Sequence, residues 1–132
     1  MNRFAFHANC VATSHPEGFC HLVGFADEKY ETQTYFMLQR DFESDEQDVE
    51  LGMDTYHVEW CGQGQSGYGG IQSLSLGRTS ATVVFDAQGA ADLGGLEELA
   101  ISFDLSAQEH AELQQALAEI FLGTDCLRCV DA

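Results

Sequence analysis

His15 and Glu17 stand in an H-x-E spacing, and Cys126 and Cys129 in a C-x-x-C spacing. Together they have the residue types of a zinc-dependent deaminase, in which one His and two thiolates hold Zn²⁺ and the Glu moves protons. The details do not fit. Asp125 stands where that signature has Pro before its first Cys, and His15 falls in the turn-forming stretch HPEG at 15 to 18. A lone C-x-x-C supplies two of the four ligands of a structural zinc, and Cys10, Cys20 or a His would complete it only through the fold. The cysteines are therefore read as free thiols near the chain end, with no metal and no cofactor.

Asp41, Glu43 and Asp45 occupy the first three alternating ligand positions of an EF-hand loop. Glu46 then stands where Gly must make the turn, and Gly52 where the bidentate Glu belongs. A calcium site of another kind, closed by residues 41–54, remains the alternative reading of this segment. The stretch GQGQSGYGG at 62 to 70 lacks the G-K-[ST] ending of a phosphate loop, and Tyr68 interrupts a G-x-S-x-G elbow. It reads as a hairpin loop whose glycines, Gly69 and Gly70 included, supply positive φ. Tyr68 is raised by those glycines as a candidate contact residue. None of these motifs supports an enzyme.

The strongest chemical signal is charge. DFESDEQDVELGMD, residues 41–54, holds seven carboxylates (Asp41, Glu43, Asp45, Glu46, Asp48, Glu50 and Asp54) and neither Lys nor Arg. Phe42, Val49, Leu51 and Met53 are interleaved with them, which a plain solubilising loop does not require. The acidity continues through Glu59 between Tyr56 and Trp60, so an acidic and aromatic surface made of these residues and Tyr68 is the candidate partner-binding site. Over the whole chain 22 acidic residues face 5 basic ones, a formal net charge of -17. Such a field opposes nucleic acid and anionic membranes and favours a basic protein partner. Proteins with basic clefts are typically those that handle nucleic acid, so a nuclease-like partner is expected.

The elements that must position these residues read mostly as strands. At 132 residues with 45% hydrophobic content, one globular domain is expected, with its core at about 3–122 and a tail at 123–132. Period-two alternation marks about seven strands: Phe4, Phe6, Ala8 and Cys10 share one face, as do Val23 and Phe25 with Phe19, and Tyr56, Val58 and Trp60. Short joins favour antiparallel pairing. One helix follows Ser106 and Glu109, a capping-box pair. Leu113, Ala116, Leu117 and Ile120 form its apolar stripe, and Gly123 is placed to end it. The predicted fold is α+β, mainly antiparallel sheet with one C-terminal amphipathic helix packed on it. The absence of a signal-like leader or a long apolar run predicts a cytoplasmic protein. A monomer and a homodimer paired through an exposed edge strand are both compatible.

YFMLQR followed by DEQD, then YHVEW, SGYGGI and FDLSAQEHAELQQALAEIF, resembles immunity protein family 10 of bacterial polymorphic-toxin systems. The likeness runs from about Phe19 to Phe121. It implies a small non-enzymatic protein that binds and neutralises a cognate toxin, and it singles out Gln39, Arg40, Gln47, Asp48, Glu59, Tyr68, Gly69, Gly70 and Ile71. Gln39, Arg40, Gly69 and Gly70 are given structural roles. Arg40, one of few cations and next to the acidic run, is expected to hold Asp48 or Glu59.

Overall fold

The computed structural model describes residues 3–13, 20–28, 33–41, 56–61, 65–122, 124 and 126–129. Among them are strands β1 (Arg3–Ala8), β2 (Cys10–Ala12), β3 (Cys20–Ala26), β4 (Tyr35–Asp41), β5 (His57–Trp60), β6 (Ser66–Tyr68), β7 (Ile71–Leu76), β8 (Ser80–Phe85), β9 (Glu98–Phe103) and β10 (Leu127–Cys129). The helices are α1 (Ala87–Asp92) and α2 (Ala107–Ile120). The α+β class holds. In place of one sheet, the strands form two five-stranded sheets, β1-β9-β8-β7-β10 (the first sheet) and β2-β3-β4-β5-β6 (the second).

The second sheet is antiparallel throughout, because each of its strands pairs with its neighbour in the chain. The first sheet is antiparallel at its centre and parallel at both edges, where β1 lies along β9 and β10 along β7. These edge strands come from the two ends of the chain. Their partners are distant in sequence, and alternation reports which face is buried, never which strand lies alongside. The stretch read as a tail thus carries a strand. Leu74 N donates to Cys126 O at 2.9 Å, and Cys126 Sγ donates to Ile71 O at 3.2 Å.

The inner faces of the sheets share one core, and aromatic pairs join them. Phe25 stacks on Phe103 with centroids 6.1 Å apart, Phe36 meets Phe85 edge-on at 5.8 Å, and Trp60 receives Phe4 at 5.3 Å and Phe6 at 6.0 Å. Each such ring pair adds about 0.5–1.5 kcal/mol beyond the area it buries. Helix α2 packs chiefly on β3 and also touches β4 and β10. Its start is the capping box: Glu109 N donates to Ser106 Oγ at 3.1 Å, and Ser106 N donates to Glu109 Oε1 at 3.0 Å. Leu113, Ala116, Leu117 and Ile120 are all buried. Phe121 is the C-cap; Gly123 lies outside the described residues.

Helix α1 docks on the turn after β6. Its N-cap Asp86 accepts from Gly89 N at 2.8 Å, and Asp86 N donates to Gly70 O at 2.9 Å. Gly70 has φ 88° and its backbone lies directly on Gly89, so a Cβ on Gly89 would collide with the Gly70 carbonyl oxygen. Both positions need glycine for close approach. No helix among the described residues is long and apolar enough to cross a membrane.

Candidate functional site

Strands β4 and β5 decide which side chains face outwards. Phe36, Leu38, Val58 and Trp60 are buried, so the intervening Tyr35, Met37, Gln39, His57 and Glu59 belong to the opposite face of the second sheet. Residues directly paired across strands share a face. The register therefore writes two rows on it: Ala12, Gly24, Met37, Glu59 and Ser66, and beside it Leu22, Gln39, His57 and Tyr68. Gln39, Glu59 and Tyr68, singled out from sequence, are brought together here.

Tyr68 is 45% exposed and its ring sits edge-on to His57 at 5.0 Å. Tyr35 Oη donates to Glu59 Oε2 at 2.5 Å. Partial burial, then the hydrogen bond to Glu59 and its negative charge, push the Tyr35 phenol up to about 12. At neutral pH the phenol is therefore a donor that holds the carboxylate in position. Beside Met37, a depression of about 360 Å³ opens over Gly24, walled by Leu22, Met37 and Tyr35. Such a face can receive a protein surface through an apolar centre and an oriented anion. Among the described residues no group of three or more His, Cys, Asp or Glu is arranged to hold a metal ion.

Residues 7–111 match the family Immunity protein 10, a span that contains β2 to β9 and α1, with the end of β1 and the first turn of α2. The chain belongs to the immunity protein 10 family. It is an immunity protein against a toxin. The comparison with curated proteins and that with solved structures each gave no match.

Three sequence expectations about the immunity protein change. Tyr56 and Trp60 share the inner face with Val58 and are core residues, 3% and 8% exposed, so neither is an available contact side chain. Tyr56 Oη accepts from Ile71 N at 3.0 Å and its ring lies 4.9 Å from Phe121, tying β5 to β7 and to the end of α2. Burial pushes its phenol up to about 12. Arg40 does not hold Glu59, because the two lie on opposite faces of the sheet. Its Nη1 donates to Ile120 O at 3.1 Å and to Leu122 O at 2.6 Å, neutralising the carbonyl end of α2 with a cation.

Asp41 ends β4 and Tyr56 directly precedes β5, so the acidic segment joins the strands that carry Gln39 and His57. Glu43, Asp45, Glu46, Asp48, Glu50 and Asp54 lie outside the described residues, as do Gln47, Asp48's partner in the family pattern, and the HPEG stretch. The calcium reading falls on the same segment. Gly69 and Gly70 both take positive φ, 71° and 88°, at the turn where β6 ends and α1 docks. Sequence reasoning passed over Tyr35, Met37 and His57. Their signal was parity: Met37 and His57 stand two residues from Gln39 and Glu59, and Tyr35 stands four from Gln39.

Proposed function

We propose that this immunity protein neutralises a nuclease-like toxin with a basic surface, by stoichiometric occlusion without turnover or cofactor, in the cytoplasm. The observation that carries the reading is the charge imbalance, 22 acidic to 5 basic residues, concentrated in the segment that joins β4 to β5. That segment springs from the end of a sheet whose outer face presents Gln39, Glu59 and the exposed Tyr68. A dense negative surface attracts a positive one at long range and raises association towards 10⁸–10⁹ M⁻¹s⁻¹ at low salt, against roughly 10⁵–10⁶ for a neutral pair. Desolvated carboxylates facing Arg or Lys then slow dissociation, with an aromatic such as Tyr68 as anchor. Such charges would fill the groups with which a nuclease grips phosphate, and they keep nucleic acid and anionic membranes from competing.

The test is co-expression with the toxic domain encoded beside this gene, scoring survival and co-purification. Rescue with a one-to-one complex is expected, with an association rate that falls as salt rises. Converting Asp45, Glu46, Asp48 and Glu50 together to their amides should weaken the complex by roughly 2–5 kcal/mol. Full protection by that variant at native toxin levels would remove the acidic segment from the interface. Unrelieved toxicity with no complex would defeat the reading itself.

A further inference from the structure

Resting on that reading and deepening it, we propose that the depression over Gly24 receives an apolar side chain of the toxin while Glu59 takes an adjacent lysine or arginine of the same partner. The two features are neighbours by register: Gly24 pairs with Met37, and Met37 with Glu59. Tyr35 links them chemically, since it lines the depression and its hydroxyl donates to Glu59 Oε2 at 2.5 Å. The anion is thus oriented before any partner arrives, which lowers the ordering cost of binding. An apolar anchor in a pocket beside a desolvated charge pair is how interfaces concentrate their affinity.

Charge selects the occupant. A second copy of the chain would bring another formal charge of -17 to a face that already carries Glu59, and like charges in apposition oppose docking. A partner with a basic rim around an apolar side chain is complementary to both parts of the face. The floor is also open to substitution: a Cβ on Gly24 would meet only Ala12 Cβ and Leu22 Cδ2, each at 3.9 Å. A longer side chain built there would fill the depression without straining the strand.

The experiment measures affinity between the full chain and the purified toxin domain from the adjacent gene, with melting temperatures taken in parallel. Gly24→Arg should weaken binding roughly a hundredfold while the melting temperature holds. Ala12→Arg, at an exposed position on the rim, should act in the same direction and carries the test if Gly24→Arg fails to fold. Glu59→Gln should cost roughly tenfold and flatten the salt dependence of association. Gln114→Arg, which adds the same charge on the exposed side of α2, should leave affinity unchanged. Wild-type affinity in both Gly24→Arg and Ala12→Arg would overturn the docking mode while the immunity reading stands. No complex with the wild type would overturn both. Self-association of the chain that Gly24→Arg abolishes would make the occupant a second copy and overturn the proposal.

Discussion

The two faces of the second sheet are written by alternate residues of the same strands, yet their surroundings differ. Phe36, Leu38 and Arg40 point inwards, where the first two meet the aromatic core and the third caps α2. Tyr35, Met37 and Gln39 lie on the other face, with Glu59 and Tyr68 beside them. In the docking mode proposed above, architecture and recognition are separated by one residue of sequence and by the thickness of a sheet. Arg40 and Glu59 illustrate it: both are charged and near the acidic run in sequence, but the pleat places them on opposite faces. A direct ion pair inferred from composition cannot form when the two side chains leave the sheet on opposite faces.

The contrast breaks first, and most visibly, on neighbouring residues of β4. Phe36→Ala removes a fully buried ring that meets Phe85, and urea unfolding should show a loss of about 3–5 kcal/mol. Met37→Ala, one residue on, should cost about 1 kcal/mol or less and act instead on toxin affinity. Equal stability losses at the two positions would erase the distinction between the faces. Arg40→Ala comes next. Loss of its charged hydrogen bonds to Ile120 O and Leu122 O should reduce stability by about 2 kcal/mol, with the toxin affinity of the folded protein unchanged. Should affinity fall and stability hold, Arg40 would move to the recognition side.

The smallest effect lies on the helix that Arg40 secures. Ser106→Ala deletes the N-cap acceptor and should cost about 1 kcal/mol by the same unfolding assay. Its partner Glu109 makes this pH-dependent. The hydrogen bonds of Ser106 hold the Glu109 carboxyl below its ordinary value of 4.5. A group with a depressed folded value contributes stability above its unfolded value, and that contribution is lost as pH falls through the folded one. Melting temperature should accordingly decline below about pH 4.5, and Glu109→Gln should remove that part of the slope. An unchanged slope would mean that the cap operates through Ser106 alone.

Local chemistry was legible along the chain wherever one element could answer for itself. The capping box, the stripe Leu113, Ala116, Leu117 and Ile120, and the shared face of Tyr56, Val58 and Trp60 were all readable. The same parity, followed one step further, puts Trp60 inside and excludes it as a contact. Its burial depends on Phe4 and Phe6, which arrive from β1 in the other sheet, and nothing near residue 60 announces them. The division into two sheets was hidden for a related reason. β1 pairs with β9, and β10 with β7, through backbone hydrogen bonds that carry no side-chain signature.

Residue order therefore settled the α+β class, the helix with its cap, which residues of a strand share a face, the acidic field and the family. These follow from periodicity, from hydrogen bonds a few residues apart and from a sum of charges, none of which needs a third dimension. Only the folded molecule assigned Arg40 to the carbonyls of α2, joined Tyr35 to Glu59 and set Met37 between Gly24 and that carboxylate. Those are contacts between strands or across layers. Register and packing decide them, because a strand's sequence specifies its two faces and leaves open what will lie against either one.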